Sequence, residues 1–159
     1  MIQGTAIHIL VALVWMFLSG NTTLGGLGVG LLAGFAMMTL FRKALGCQDY
    51  VRRMTAFVLF IGKFLEMVGL SNLRIARVAL ARNAGSIHGH FMEYSIEGLT
   101  DVEILILCQC ISLTPGTLVA DKNPDGSKLI LHAFASGDAD EVRATLDARL
   151  KKNILSFTR

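Results

Sequence analysis

The histidines are the first side chains in this sequence to test for chemistry. His88 and His90 alternate within Ile87 to Ile96, a stretch rich in aromatic and β-branched residues, and His132 lies in a second such stretch. Three imidazoles converging from two strands would suit zinc. No Cys or carboxylate motif accompanies them, so the same alternation describes the polar face of a sheet, and no metal is expected. Cys47, Cys108 and Cys110 are odd in number, and C-x-C is not the C-x-x-C of zinc or redox sites. They read as buried, reduced thiols on the cytoplasmic side. Gly28 to Ala33 has the loose G-x-G-x-x-A spacing of a dinucleotide loop, but it sits inside an uncharged apolar run where no phosphate would be met. No Ser-His-Asp set, H-E-x-x-H helix, Walker loop or close carboxylate pair appears. The expectation is therefore no catalytic residue and no cofactor.

Charge in an apolar setting is the remaining chemical signal. His8 is the only ionisable side chain before Arg42, and its place near a helix end favours a structural role. Lys63 and Glu66 stand three apart in the otherwise apolar stretch Met54 to Leu70, a spacing that predicts an intramembrane charge pair on one helix face.

The elements that hold these residues follow from composition. Of 159 residues, 53% are hydrophobic and 17% charged, against roughly 45–50% and 25% in ordinary soluble domains. Residues 1–41 carry no formal charge, residues 42–85 carry +6, and residues 86–159 carry −3. This pattern predicts a membrane segment, a basic membrane-surface segment and an aqueous domain with those boundaries. Ile2 to Leu18 and Leu24 to Phe41 are apolar runs of 17 and 18 residues around the turn-forming Ser19 to Thr23. They predict a transmembrane α-helical hairpin of about 26–27 Å, just long enough to span. No Lys or Arg precedes the first run, and Phe17 to Gly20 is a poor cleavage site, so the segment is expected to stay rather than act as a signal peptide. Gly26, Gly30 and Gly34 recur every four residues and predict a face for close packing against a partner helix.

Arg42, Lys43, Arg52 and Arg53 follow the hairpin and place that loop, and hence the N-terminus, in the cytoplasm. Residues 54–82 read as an interfacial or re-entrant helix, because a crossing would carry Arg74, Arg77 and Arg82 outward with the whole C-terminal domain. Ser71, Asn72, Arg74 and Arg77 are expected to touch lipid headgroups or a neighbouring subunit. Nucleic acid is not an expected partner, since the basic residues lie beside membrane runs.

The last 74 residues read as a small cytoplasmic α+β domain of order β-α-β-β-α. Ile87 to Ile96 is the first strand. Thr100-x-x-Glu103 is a capping box ahead of an apolar helix, Val102 to Leu113. Thr114-Pro115-Gly116-Thr117 stops that helix and reverses the chain. Strands Thr117 to Asp121 and Lys128 to Phe134 flank the turn Asn123-Pro124-Asp125-Gly126. Asp138 to Glu141 caps a last helix whose inner line is Val142, Leu146, Leu150 and Ile154, with Arg143, Asp147 and Lys151 toward solvent. Both helices are expected on one face of a three-stranded sheet.

Taken together, the short hairpin, the Ser71-Asn72-Leu73-Arg74-Ile75-Ala76 segment, the word Ile111-Ser112-Leu113-Thr114-Pro115-Gly116-Thr117 and the acidic-capped last helix resemble the E-type subunit of the Mrp-type (Mnh/Pha) multisubunit cation/proton antiporters. The resemblance covers nearly the whole chain. It departs at Ile87-His88-Gly89-His90, where that family often has a more apolar, proline-containing strand start. It implies a multi-pass subunit of a bacterial cell-membrane complex that exchanges Na⁺ for H⁺, with the other antiporter subunits as partners. In such complexes the large subunits hold the proton path, and the small E-type subunit supports assembly and activity. The resemblance also implies that Thr114 to Thr117 is a structural motif. The alternatives are a free-standing membrane-anchored adaptor or sensor, whose α+β domain binds a ligand, and a membrane-anchored enzyme with a polar pocket in 86–159.

Overall fold

The computed structural model describes residues 2–80, 89–134 and 139–159, so Arg82, His88 and Asp138 lie outside the described residues. The chain divides into two compact units, Met1–Ala56 and Phe57–Arg159. Of the stretch 42–85, anticipated as a segment of its own, the described residues 42–80 are divided between the two.

In the first unit, α1 (Ile2–Leu18) and α2 (Leu24–Leu40) form the hairpin, each of 17 residues. Thr23 caps α2 by accepting a hydrogen bond from the Gly26 N–H. Gly4, His8 and Ala12 on α1 and Gly26, Gly30, Gly34 and Met38 on α2 are buried, each four residues from the next. A Cβ added at Gly30 would stand 2.7 Å from the Ala12 carbonyl oxygen, and one at Gly34 would stand 3.1 Å from His8 Cδ2. At Gly26 it would meet the Asn21 carbonyl at 2.1 Å. The glycine face is therefore filled by α1 and the hairpin loop of the same chain, not by a partner helix as expected. The opposite faces expose Leu10, Phe17, Leu32 and Leu40.

α3 (Gln48–Leu80) is one helix of 33 residues, about 50 Å long. It contains no reversal of direction. Its start belongs to the first unit, where Cys47, Tyr50 and Val51 join Met38 in a small core.

From Phe57 onward α3 belongs to the second unit. Phe60 and Met67 are buried in that unit's core, and the rings of Phe57 and Phe60 each lie 5.3 Å from that of Phe157. Lys63 Nζ donates to Asn153 Oδ1 at 3.2 Å and does not pair with Glu66, correcting the expected charge pair.

The sheet has antiparallel order β1-β3-β2, from β1 (His90–Ser95), β2 (Thr117–Lys122) and β3 (Lys128–Ala133). β2 carries a bulge between Val119 and Asp121. Phe91 faces His132 across the ladder while His90 faces Ala133, so His90 and His132 point to opposite faces. That register disposes of the shared-metal arrangement.

Met92, Tyr94, Leu129 and Leu131 form one face of the sheet and pack with Leu107 and Ile111 of α4 (Asp101–Leu113) and with the last helix. That helix runs as α5 (Ala139–Leu146), a wide π turn (Asp147–Lys151) and α6 (Lys152–Thr158). Its inner residues Val142, Leu146, Leu150 and Ile154 are all buried. Steps of four drift by about 40° each on a regular helix, and the wide turn absorbs that drift. The row anticipated on the solvent side stays at the surface and runs along β1: Arg143 Nε donates to the Glu93 carbonyl at 3.0 Å, Asp147 Oδ1 accepts from the Tyr94 hydroxyl at 2.6 Å, and Lys151 Nζ lies 5.8 Å from the Tyr94 ring centroid. Asn153 Nδ2 takes up the Ala148 and Arg149 carbonyls at the wide turn, which presents its Oδ1 to Lys63.

Candidate functional site at the Thr114–Thr117 corner

Each residue of the Thr114-Pro115-Gly116-Thr117 word has a separate task. The Thr114 and Thr117 hydroxyls donate to the Cys110 and Ile111 carbonyls, both at 2.8 Å, satisfying the Cys110 acceptor at the end of α4 and adding to the Thr114 N–H already on Ile111. Pro115 forbids another helical turn. Gly116 turns the chain at φ +96°, and its carbonyl accepts from the Phe134 N–H at 2.7 Å, tying the corner to the end of β3. A Cβ there would be strained by the backbone angle and would meet the Phe134 carbonyl at 3.2 Å.

This corner is the floor of a cleft of about 340 Å³. α3 supplies one wall through Met67, Leu70, Ser71, Arg74 and Ile75, whose three- and four-residue spacing puts them on one helix face. The last helix supplies the other through Glu141, Thr145, Leu146 and Arg149. The fold thus brings Ser71 and Arg74 to the Thr114–Thr117 motif from about 40 residues away in sequence. It leaves Asn72 and Arg77 outside the cleft, both exposed. Glu141, Thr145 and Arg149 were missed by the sequence reading. They form a row at spacing four beside the inner line, which was the available signal.

Two polar contacts stiffen the unit around the cleft. The Arg159 guanidinium, and after it the Thr100 N–H, hold the buried Glu103 carboxyl far below the usual carboxylate range. Burial, and then the hydrogen bond to Asp147, push the Tyr94 phenol well above its ordinary value. In the first unit, His8 has Nδ1 2.6 Å from the Tyr50 hydroxyl and Nε2 2.8 Å from the Leu31 carbonyl oxygen. The carbonyl can only accept, so Nε2 carries the proton and Nδ1 accepts from Tyr50 in the neutral ring.

A family model described as a Na⁺/H⁺ ion antiporter subunit matches residues 8–157, which include every residue of the cleft and the His8 clamp. The chain belongs to this antiporter-subunit family. Among its relatives, the E-type Na⁺/H⁺ antiporter subunit of Bacillus subtilis (strain 168) is 28% identical over 153 residues, covering 96% of each chain. The E1-type Na⁺/H⁺ antiporter subunit of Staphylococcus epidermidis is 25% identical over 146 residues, covering 92% of this chain and 91% of that one. A chain of the membrane-bound sulfane sulfur reductase (MBS), an archaeal respiratory membrane complex, shares the fold with a TM-score of 0.58 at 22% identity, over 95% of this chain and 98% of that chain. In this chain the Thr114–Thr117 corner joins α4 to β2, with the cleft beside it.

Proposed function

We propose that the chain is a non-catalytic accessory subunit of a multisubunit Na⁺/H⁺ antiporter in the bacterial cell membrane, supporting assembly and activity of the complex. The family match over residues 8–157 carries this reading. The chemistry of the chain agrees with it. A proton path through a membrane needs several ionisable groups. The hairpin offers His8 alone, with both ring nitrogens engaged by Tyr50 and Leu31.

In this reading α1 and α2 cross the membrane with their apolar outer faces in lipid, and the N-terminus and the α+β domain lie on the cytoplasmic side, as the basic residues 42–53 favour. α3 passes the length and hydropathy test for a span. From Phe57 onward, however, one of its faces is packed into a domain whose outer surface carries Glu93, Lys128, Asp140 and Arg143. Such a surface is costly to bury in hydrocarbon. Residues 57–80 are accordingly placed at the membrane surface, with exposed Leu59, Leu65 and Leu73 toward lipid or a neighbouring subunit.

Affinity capture of the tagged chain from mild detergent tests this function. The expected result is recovery of large hydrophobic antiporter subunits in fixed ratio. Recovery of a lone homo-oligomer would favour the free-standing adaptor instead.

A further inference from the structure

We infer that the cleft beside the Thr114–Thr117 corner holds the phosphate headgroup of an anionic phospholipid, clasped by Arg74 and Arg149, with the start of an acyl chain along Met67 and Leu70. This rests on the placement of residues 57–80 at the membrane surface.

The two guanidinium groups come from elements far apart in sequence and line one cavity, and among the described residues neither has an ion-pair partner. The hydroxyls of Ser71 and Thr145 on the same walls are also uncommitted among the described residues. Against these donors stands a single carboxylate, Glu141, so the rim has net positive charge and an excess of donors. Guanidinium forks and hydroxyls in excess of acceptors select an anion, and phosphate accepts the bidentate geometry well. A free phosphate ion would leave the rest of the lining unused. Apart from Thr114 and Thr117, whose hydroxyls are spent on α4 carbonyls, that lining is mainly apolar, through Met67, Leu70, Ile75 and Phe134, and it continues outward over Leu70 and Leu73, which are 52% and 56% exposed on α3. Only a ligand that joins an anion to hydrocarbon satisfies both parts, and a phospholipid at the membrane surface does so.

The test is photolabelling of the tagged complex in native membranes with a phosphatidylglycerol whose reactive group sits near the head of the acyl chain, followed by mapping of the adduct. Labelling is expected in the segment 67–75. It should fall about tenfold, equivalent to about 1.4 kcal/mol, in the double variant Arg74→Gln/Arg149→Gln. It should be unchanged in Arg77→Gln, which removes a charge on the same helix outside the cleft. A phosphatidylcholine analogue is expected to label weakly, and excess inorganic phosphate is expected not to displace the label. Equal labelling by phosphatidylcholine, an equal loss in Arg77→Gln, displacement by inorganic phosphate or undiminished labelling of the double variant would each overturn the inference. The lipid comparison on the unmodified chain stands even if the double variant accumulates poorly. Partner subunits are counted in the same preparation, so a complete complex without label refutes the lipid site alone. Specific label on a chain without partners refutes the antiporter reading alone.

Discussion

The guanidinium of Arg159 grips the carboxylate of Glu103 through two contacts, Nε to Oε1 at 3.0 Å and Nη2 to Oε2 at 2.9 Å, across 56 residues of sequence. The same carboxylate accepts from the Thr100 N–H at 2.8 Å and from the Thr158 hydroxyl at 2.7 Å. One buried side chain thus caps the start of α4 and fastens the end of α6 to it.

Because Glu103 is held ionised well below its ordinary range, it contributes stability that is complete above the unfolded carboxyl's pKa of about 4.3 and is lost as pH falls further. The full chain in detergent is therefore expected to lose thermal stability below about pH 4.3, and Glu103→Gln should flatten that dependence. Glu103→Ala, which also breaks the capping box, should cost about 2 kcal/mol. Thermal midpoints across about pH 3 to 7, a span chosen around the free carboxyl value, are the check. An unaltered slope in Glu103→Gln would assign the effect to other groups.

Gly116→Val should lower the amount of folded chain, since a β-branched residue at φ +96° costs on the order of 1–3 kcal/mol. Quantified complex in membranes should fall, with Na⁺-dependent proton exchange falling in proportion. Normal abundance with abolished exchange would move this corner from scaffold to transport.

Gly30→Leu is expected to open the hairpin from within, because Ala12 of the same chain occupies the space a side chain would need. Gly28→Leu, whose Cβ would meet no atom within 4 Å, should be close to neutral in the isolated chain. The thermal midpoint of the chain without its partners distinguishes the two. Equal midpoints for both variants would show that the 26-30-34 face is free to receive another subunit.

A cysteine placed at Gly126, in a chain whose three native cysteines are replaced, should react with an impermeant maleimide only after the cells are permeabilised. Labelling in intact cells would reverse the cytoplasmic placement of the α+β domain.

Much of this architecture can be read from local patterns. The uncharged runs of α1 and α2, the Thr100–Glu103 capping box, the Pro115-Gly116 stop and the inner line from Val142 to Ile154 each depend on neighbours within a few residues. The relations that escaped reading depend on separation in sequence. Lys63 and Glu66 have the spacing of a pair, yet the last helix, 90 residues downstream, presents Asn153 to Lys63 just after its π turn. Gly26, Gly30 and Gly34 announce close packing without saying against what, since a glycine pattern does not specify the opposing helix. Ser71 and Arg74 carried a signal, but their cleft needs Arg149, whose direction is set by the same wide turn. The helix over residues 54–82 is legible from its periodicity, whereas its start at Gln48 is not, because Tyr50 and Val51 are fixed there by packing with Met38 of the first unit.

A subunit that supports the antiporter without carrying protons should tolerate loss of its one hairpin imidazole, and His8 is therefore where the proposed role is most exposed to test. The measurement is Na⁺-dependent proton exchange in membrane vesicles, divided by the amount of assembled complex, for His8→Gln and for Tyr50→Phe. Loss of the 2.6 Å contact should cost about 1 kcal/mol and lower the amount of complex, while exchange per complex stays at the wild-type value. Full assembly of His8→Gln with exchange per complex abolished would contradict the accessory role and place this imidazole in the proton path.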